Sequence, residues 1–171
     1  VLGAGAGIGG TVAAKFAREG YHSCLCRRSD QEGLDRLVKG IEDEGGSANG
    51  YLINAIEENV LEELITKVES EVGPIEVVVY NLGAQTGMKL LDKTSLKEYE
   101  WGWRMASLGL FRVAKVLCPI MKERGKGTIL VTSATAAMRG NATQHSHAAA
   151  MGARRMLCQS LNAEFSSQGV H

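Results

Sequence analysis

A glycine-rich turn near the start of the chain has the residue types needed to bind a phosphate group. Residues 1 to 10 read Val-Leu-Gly-Ala-Gly-Ala-Gly-Ile-Gly-Gly, an apolar stub that runs directly into glycines. Gly3, Gly7 and Gly9 allow backbone angles and close approaches that a Cβ atom would prevent. The pattern predicts a helix that begins near Ile8, with its free N–H groups and positive dipole end facing the turn. A pyrophosphate is the expected ligand.

Strands and helices alternate along the rest of the chain, as the hydrophobic periodicity shows. The apolar stub before the glycine turn is the short first strand; four further strands are predicted at 21–26, 48–53, 75–80 and 127–132, and helices at 29–44, 57–72, 95–124 and 147–167. Such alternation favours a parallel sheet with helices on both faces and right-handed crossovers. Ligands of these sheets bind beyond the carboxyl ends of the strands. The glycine turn, Asn81, Ser133 and the start of the last helix would all lie there.

Composition indicates one soluble globular domain. The 171 residues are 44% hydrophobic and carry 19 basic and 19 acidic side chains, so a nucleic-acid partner is not expected. No apolar run reaches the roughly 18 residues that a membrane span needs. The cysteines and histidines lack the spacing of a metal site, and we interpret the cysteines as reduced thiols in a reducing compartment such as the cytoplasm or an organelle matrix. The chain lacks an initiator Met, and we interpret it as a fragment incomplete at both ends.

Three motifs resemble the classical short-chain dehydrogenase/reductase family. They are Gly3-x-x-x-Gly7-x-Gly9, then Tyr80-Asn81-Leu82-Gly83 after the fourth strand, and Val131-Thr132-Ser133 after the fifth. The resemblance covers essentially all 171 residues. It implies a single dinucleotide-binding domain with a Rossmann-type doubly wound sheet in strand order 3-2-1-4-5, truncated before the last strands of the family. Strand five would then be an exposed edge.

The resemblance also implies which residues hold the cofactor. An acidic residue is usual at position 27 when the cofactor is NAD, but this chain has Arg27-Arg28, and a guanidinium there pairs with a 2′-phosphate. NADP(H) is therefore the implied cofactor, and two solvated surface arginines are the alternative. The cofactor-binding residues expected from the resemblance are Gly3, Gly7, Ile8, Gly9, Arg27, Arg28, Asn54, Asn81 and Gly83.

The four catalytic positions of the family carry other residues in this chain. The Tyr-x-x-x-Lys pair corresponds to His147 and Met151, the serine position to Ala134, and the helix asparagine to Ala106. A phenol works near neutrality only when a neighbouring ammonium stabilises the phenolate, and Met151 provides no charge. An imidazole can act as a general acid without a lysine, so His147, with Ser133 orienting the substrate, is the candidate catalytic pair.

Two functions remain open from the sequence. The first is an NADP(H)-binding protein of reductase descent that is catalytically degenerate and serves as a structural or sensing subunit. The second is an active NADP(H)-dependent oxidoreductase that reduces a small carbonyl or oxidises an alcohol, with His147 as general acid. In the family the long helix and the last helix build subunit interfaces, so a homo-oligomer or a larger assembly is the implied setting.

Overall fold

Helices and strands alternate through most of the computed structural model, which describes residues 1–83 and 87–171. The strands are β1 (His22–Arg27), β2 (Ser47–Leu52), β3 (Val77–Tyr80) and β4 (Thr128–Val131). The helices are α1 (Ile8–Arg18), α2 (Gln31–Asp43), α3 (Val60–Glu71), α4 (Leu96–Trp103), α5 (Gly109–Arg124) and α6 (His145–Phe165). Short 3₁₀ turns lie at Leu91–Lys93, Thr135–Ala137 and Ser166–Gln168.

The strands form two parallel pairs that Leu2 joins at the centre. β1 pairs with β2 and β3 pairs with β4, both in parallel, with Cys26 opposite Tyr51 and Tyr80 opposite Val131. Leu2 bridges in parallel to Cys26 on one side and to Tyr80 on the other. The resulting order, β2–β1–Leu2–β3–β4, is the predicted order 3-2-1-4-5, in which Leu2 is the whole of strand one.

Helices cover both faces of this sheet. On one face α1 and α2 pack on β1 and β2 through Ala13, Leu34 and Ile41, which surround Leu25. On the other face α3 and α5 pack through Leu61, Leu117 and their neighbours against Cys26, Val78 and Tyr80. Adjacent residues of β1 thus face opposite clusters, as the alternation of a strand requires. The doubly wound fold is confirmed.

Local signals explain where two of the helices begin. The Asp30 carboxylate accepts a hydrogen bond from the N–H of Gly33 at 2.9 Å and caps α2. Ser95 and Glu98 form the predicted reciprocal capping box that opens α4. Within the described ranges, no helix combines the length and apolar content needed to cross a bilayer.

Three expectations from the sequence need correction. The helix predicted over 95–124 is interrupted by a π-helical turn, Arg104–Leu108, between α4 and α5. The last helix begins at His145, two residues earlier than predicted, so His147 lies inside its first turn. The edge of β4 is partly covered, because Val170 bridges in parallel to Gly127 and the N–H of Ile129 donates to His171 at 2.7 Å. Leu130 keeps 43% of its surface exposed.

A cavity of about 600 Å³ opens between β1 and β3 on the side of Leu2 away from the glycine turn. It is lined by the start of each strand, including Tyr21, His22 and Ile75, and by apolar side chains of α3 such as Val68. Ligand sites of parallel sheets lie at the opposite, carboxyl edge. The cavity is therefore at the edge opposite to the expected ligand site, between the two strand pairs that the backbone of Leu2 bridges.

We expect Leu2→Ala to lower the free energy of unfolding by about 2–4 kcal/mol, because it removes a buried side chain at the junction and enlarges a cavity. Urea unfolding followed by far-UV circular dichroism measures the loss. The matched control is Leu52→Ala, since Leu52 lies on β2 and is 43% exposed, and it should cost less than about 1 kcal/mol. Equal losses in the two variants would contradict a stabilising contribution of the buried Leu2 side chain at the junction.

Candidate functional site

The glycine turn is shaped by contacts that only glycine allows at two positions. Gly3 has a φ of +93°, and a Cβ atom there would lie 2.8 Å from the carbonyl oxygen of Asn81. A Cβ atom on Gly9 would lie 2.2 Å from the carbonyl oxygen of Gly3. A Cβ atom on Gly7, in contrast, would meet no atom of the described residues within 4 Å. Gly3 and Gly9 close the turn, and Gly7 faces open space.

The first turn of α1 has the features of an anion site. Gly7 is its N-cap residue, and no described side chain caps the helix there. The first turn also contains no acidic residue, so no carboxylate of its own neutralises the positive dipole end. Ile8 is 62% exposed beside the turn. The open space at Gly7 and these N–H groups fit the phosphates of a dinucleotide.

Asn81 connects the glycine turn to the ends of two strands. Its side-chain amide donates to the carbonyl oxygen of Gly3 at 2.9 Å, and its amide oxygen accepts from the Thr132 hydroxyl at 2.7 Å. Its backbone N–H donates to Leu2 at 2.8 Å. Asn81 therefore fixes the turn against β3 and β4. Gly83, two residues further along, is exposed.

A small pocket beside the turn is lined by Arg27, Arg28 and Asn54. The Arg27 guanidinium lies 2.9 Å from the Asp30 carboxylate and is largely buried. Gly33 makes room for this pair, since a Cβ atom there would lie 2.7 Å from the Arg27 guanidinium. Arg28 is exposed, and no described carboxylate lies within ion-pair distance of it. The sequence predicts Arg27 as the partner of a 2′-phosphate, whereas the structure pairs Arg27 with Asp30.

Asn54 and the remaining wall of the pocket come from other strand ends. The Asn54 side-chain amide donates to Glu57 at 2.8 Å, which keeps Asn54 at the carboxyl end of β2. Leu82, after β3, and Met105, in the π-helical turn, also line the pocket. The structure thus brings the glycine turn, the two arginines after β1, Asn54 after β2 and Asn81 after β3 to one edge of the sheet.

The four positions expected to carry catalysis do not form a polar site. Ala106, Ala150 and Met151 are buried together in one apolar cluster, against which Ala134 and Ala137 pack. Met151 is only 3% exposed. Three of the four positions, Ala106, Ala134 and Met151, therefore lie together in an apolar cluster.

His147 and Ser133 lie at the border of this apolar cluster. His147 is partly buried in the first turn of α6, and Ser133 is exposed after β4. The neighbouring Ser146 is buried and donates to the carbonyl oxygen of Glu98 at 3.0 Å, so its hydroxyl holds α6 to α4. No group of three metal-ligating side chains occurs among the described residues.

Electrostatics at this end of the sheet are dominated by burial and local pairing. Hydrogen bonds from Lys89 and Ser95 lower the pKa of Glu98 to about 2. Burial raises the pKa of the Cys26 thiol to about 11 and raises that of Tyr80 also, so both stay protonated at neutral pH.

Sequence reasoning missed a buried arginine, Arg154, three residues beyond Met151. The sequence signal that could have identified Arg154 is a charged residue at helical spacing from Ala150, on the face of α6 that packs inward.

Comparison with known proteins identifies the family. The family model described as short chain dehydrogenase matches residues 1–171. The chain belongs to the short-chain dehydrogenase family. A short-chain dehydrogenase from Rhodopseudomonas palustris superposes with a TM-score of 0.94 at 30% identity, over 99% of this chain and 79% of that one.

Similar proteins include enzymes with different activities. The 3-oxoacyl-[acyl-carrier-protein] reductase FabG of Thermotoga maritima is 30% identical over 151 residues, 87% of this chain and 60% of that protein. A gluconate 5-dehydrogenase from Burkholderia cenocepacia, in complex with NADP and tartrate, superposes with a TM-score of 0.89 at 28% identity, over 99% of this chain and 66% of that one. The chain spans about 60% of the length of the Thermotoga reductase.

Membership in the short-chain dehydrogenase family confirms the fold and the family inferred from the motifs. Short-chain dehydrogenases bind a nicotinamide dinucleotide at the carboxyl ends of their strands. The uncapped start of α1, the open space at Gly7 and the Asn81 network are consistent with that ligand.

We expect Asn81→Asp to lower the free energy of unfolding by about 1–3 kcal/mol at pH 7, because a carboxylate cannot donate to the Gly3 carbonyl and repels it. The loss should shrink below about pH 4, where a protonated carboxyl can donate again. Urea unfolding at the two pH values measures it. The control is Asn49→Asp at an exposed position of β2, which should change stability by less than about 0.5 kcal/mol. A loss that does not depend on pH would argue against the Gly3 contact as its cause.

Proposed function

We propose that this protein binds NADP(H) and is catalytically degenerate, serving as a structural or sensing subunit. The observation that carries the proposal is the contrast between the two halves of the site. The dinucleotide half retains its glycine turn, its asparagine and its arginines, whereas Ala106, Ala134 and Met151 replace the polar catalytic set with one apolar cluster.

The phosphates of the dinucleotide would lie at the start of α1, where Gly7 and Ile8 present backbone N–H groups. Gly9 keeps the backbone of Gly3 close, and Asn81 orients the turn from β3. Asn54 would face the adenine from the end of β2, with Gly83 following β3. These residues form the binding half of the proposed site.

The two arginines beside the proposed 2′-phosphate site differ in how available their guanidinium groups are. Arg27 is already paired with Asp30 at 2.9 Å and is largely buried, so fewer of its donors are available to a phosphate. Arg28 is exposed on the same pocket without a described carboxylate partner, which leaves its whole fork for a phosphate. The NADP complex of the gluconate 5-dehydrogenase from Burkholderia cenocepacia supports this choice of cofactor.

We expect Arg28→Asp to weaken NADPH binding by about 10- to 150-fold, the equivalent of one charge-assisted pair of about 1.5–3 kcal/mol. NADH affinity should change less than about threefold, since NADH lacks the 2′-phosphate. Isothermal titration with both cofactors measures the ratio. The matched control is Arg36→Asp, an equal charge reversal on an arginine of α2 that does not line the pocket. A cofactor preference that Arg28→Asp leaves unchanged would mean that Arg28 is surface charge only.

Loss of chemistry follows from the apolar cluster. Proton transfer, alignment of the substrate oxygen and anchoring of the nicotinamide ribose all serve one transition state, so the missing groups act on the same step. His147 has no ammonium beside it at position 151, where Met151 is buried. The alternative function, an oxidoreductase that uses His147 as general acid and Ser133 to orient a carbonyl substrate, rests on the place of His147 in the first turn of α6.

We expect the protein to reduce no member of a ketone and quinone panel with NADPH faster than its His147→Ala variant does. His147→Tyr alone should add nothing, and Met151→Lys alone should destabilise the fold by about 2 kcal/mol or more, since it buries an ammonium among alanines. Measurable reduction should need His147→Tyr and Met151→Lys together with Ala106→Asn and Ala134→Ser. NADPH oxidation followed at its absorbance band measures all variants.

The control for this series is His145→Ala, at the first residue of α6. Turnover of the unmodified protein that His147→Ala abolishes and His145→Ala leaves intact would contradict degeneracy and establish the alternative function.

Association with other subunits is part of the proposal. Tyr99 and Trp103 on α4 and Phe111 on α5 are 48%, 43% and 48% exposed, and burial of these rings would stabilise a subunit interface. They lie on the long helix that resembles an interface helix of the family.

The four cysteines are free thiols, which is consistent with a reducing compartment.

A further inference from the structure

Arg154 carries a buried guanidinium at the binding edge of the sheet. It is 2% exposed, and its Nε donates to the carbonyl oxygen of Ala106 at 2.9 Å. The two terminal nitrogens donate to Thr132 at 2.8 Å and to Leu82. No described carboxylate lies within ion-pair distance of it. Burial lowers its pKa, but an arginine stays protonated in proteins, and its described hydrogen bonds all go to backbone carbonyls.

Tyr80 lies against this guanidinium and extends the same network. The Arg154 guanidinium carbon is 5.2 Å from the centre of the Tyr80 ring, within the range of a cation–π contact. The Tyr80 hydroxyl donates to the carbonyl oxygen of Met105 at 2.5 Å. A Cβ atom on Gly109 would lie 2.2 Å from that hydroxyl, so the glycine at the start of α5 is what admits it.

The carbonyls that this pair holds belong to one wall of the dinucleotide pocket. Leu82 and Met105 line the pocket together with Arg28 and Asn54. Arg154 holds the backbone of Leu82 directly, and Arg154 with Tyr80 holds the adjacent carbonyls of Met105 and Ala106 in the π-helical turn. Neither side chain lines the pocket itself. Their effect on a ligand there must pass through the backbone of the wall.

We propose that Arg154, supported by Tyr80, is a positioning residue that sets the Leu82 and Met105 wall against the adenosine half of the dinucleotide. The proposal rests on the proposed NADP(H) binding and adds to it a specific device of this chain. Without the guanidinium, three carbonyls at the ends of β3, β4 and the π-helical turn lose their shared donor and repel one another. The wall would then adopt several conformations, and the pocket would have to be ordered by the ligand.

The test compares Arg154→Met, Arg154→Lys and Tyr80→Phe in the full chain, with 2′,5′-ADP as the probe for the adenosine half. We expect Arg154→Met to weaken 2′,5′-ADP by about tenfold or more, the equivalent of one lost charge-assisted bond. Arg154→Lys should recover part of the affinity, since it restores the charge but not the fork. Tyr80→Phe should weaken binding by about three- to tenfold, since it removes one hydroxyl bond and keeps the ring. The control is Arg155→Met, at a neighbouring, partly exposed arginine, which should stay within about twofold.

Measurement well below the melting temperature separates positioning from stability. While nearly all molecules are folded, a role confined to stability lowers the melting temperature but leaves the dissociation constant unchanged. Unchanged affinity in Arg154→Met with a lowered melting temperature would therefore overturn the proposal. If Arg154→Met does not fold, Tyr80→Phe decides, and unchanged affinity in that variant overturns it equally.

Hydrogen exchange gives a readout that needs no ligand. The proposal expects faster exchange in Arg154→Met for peptides that contain Leu82 and Met105, and unchanged exchange for α2. Uniformly faster exchange overturns it. If the wild-type protein binds neither NADPH nor 2′,5′-ADP, the proposed function is contradicted. The positioning of the wall still stands if Arg154→Met shows the local change in exchange.

Discussion

The backbone of Leu2 and Gly3 connects the two halves of the sheet, and the phosphate-facing turn depends on that connection. The N–H of Leu2 donates to Val79 at 2.9 Å, and the N–H of Gly3 donates to Cys26 at 2.9 Å. The same residues begin the glycine turn, so the bonds that close the sheet also orient the turn. Asn81 then locks the arrangement from β3, since its side chain reaches Gly3 and its N–H reaches Leu2. Binding geometry and sheet closure are one network here.

Sequence patterns predicted most of this framework because they report local physics. The apolar stripes of α2 and α3, the β-branched run before Tyr80 and the Ser95–Glu98 capping box each depend on residues close in the chain. Alternation of elements and the handedness of crossovers predicted a parallel sheet with helices on both faces, and the strand order was implied by the family resemblance. The glycine turn was located because its spacing is fixed by the close approach of its own backbone.

The features that the sequence did not predict all depend on contacts between distant residues. The π-helical turn coincides with carbonyls that Tyr80 and Arg154 hold, and these lie 25 and 48 residues from Met105 and Ala106 respectively. Pairing of residues 169–171 with β4 depends on where α6 ends in space. The division of roles between Arg27 and Arg28 depends on Asp30, whose side chain both caps α2 and pairs with Arg27. Periodicity carries no information about such contacts.

The two halves of the site differ in what builds them, and this difference explains why one can persist without the other. Phosphate recognition uses the backbone of residues 3–9 and the dipole of α1, so the sheet that closes around Leu2 produces it whatever chemistry follows. Proton transfer uses particular side chains, and the apolar residues at positions 106, 134 and 151 replace them without changing the sheet. Ala106 shows the separation most directly: its methyl group packs on Met151, while its carbonyl accepts from Arg154. Its backbone thus contributes to the pocket wall where its side chain contributes no chemistry.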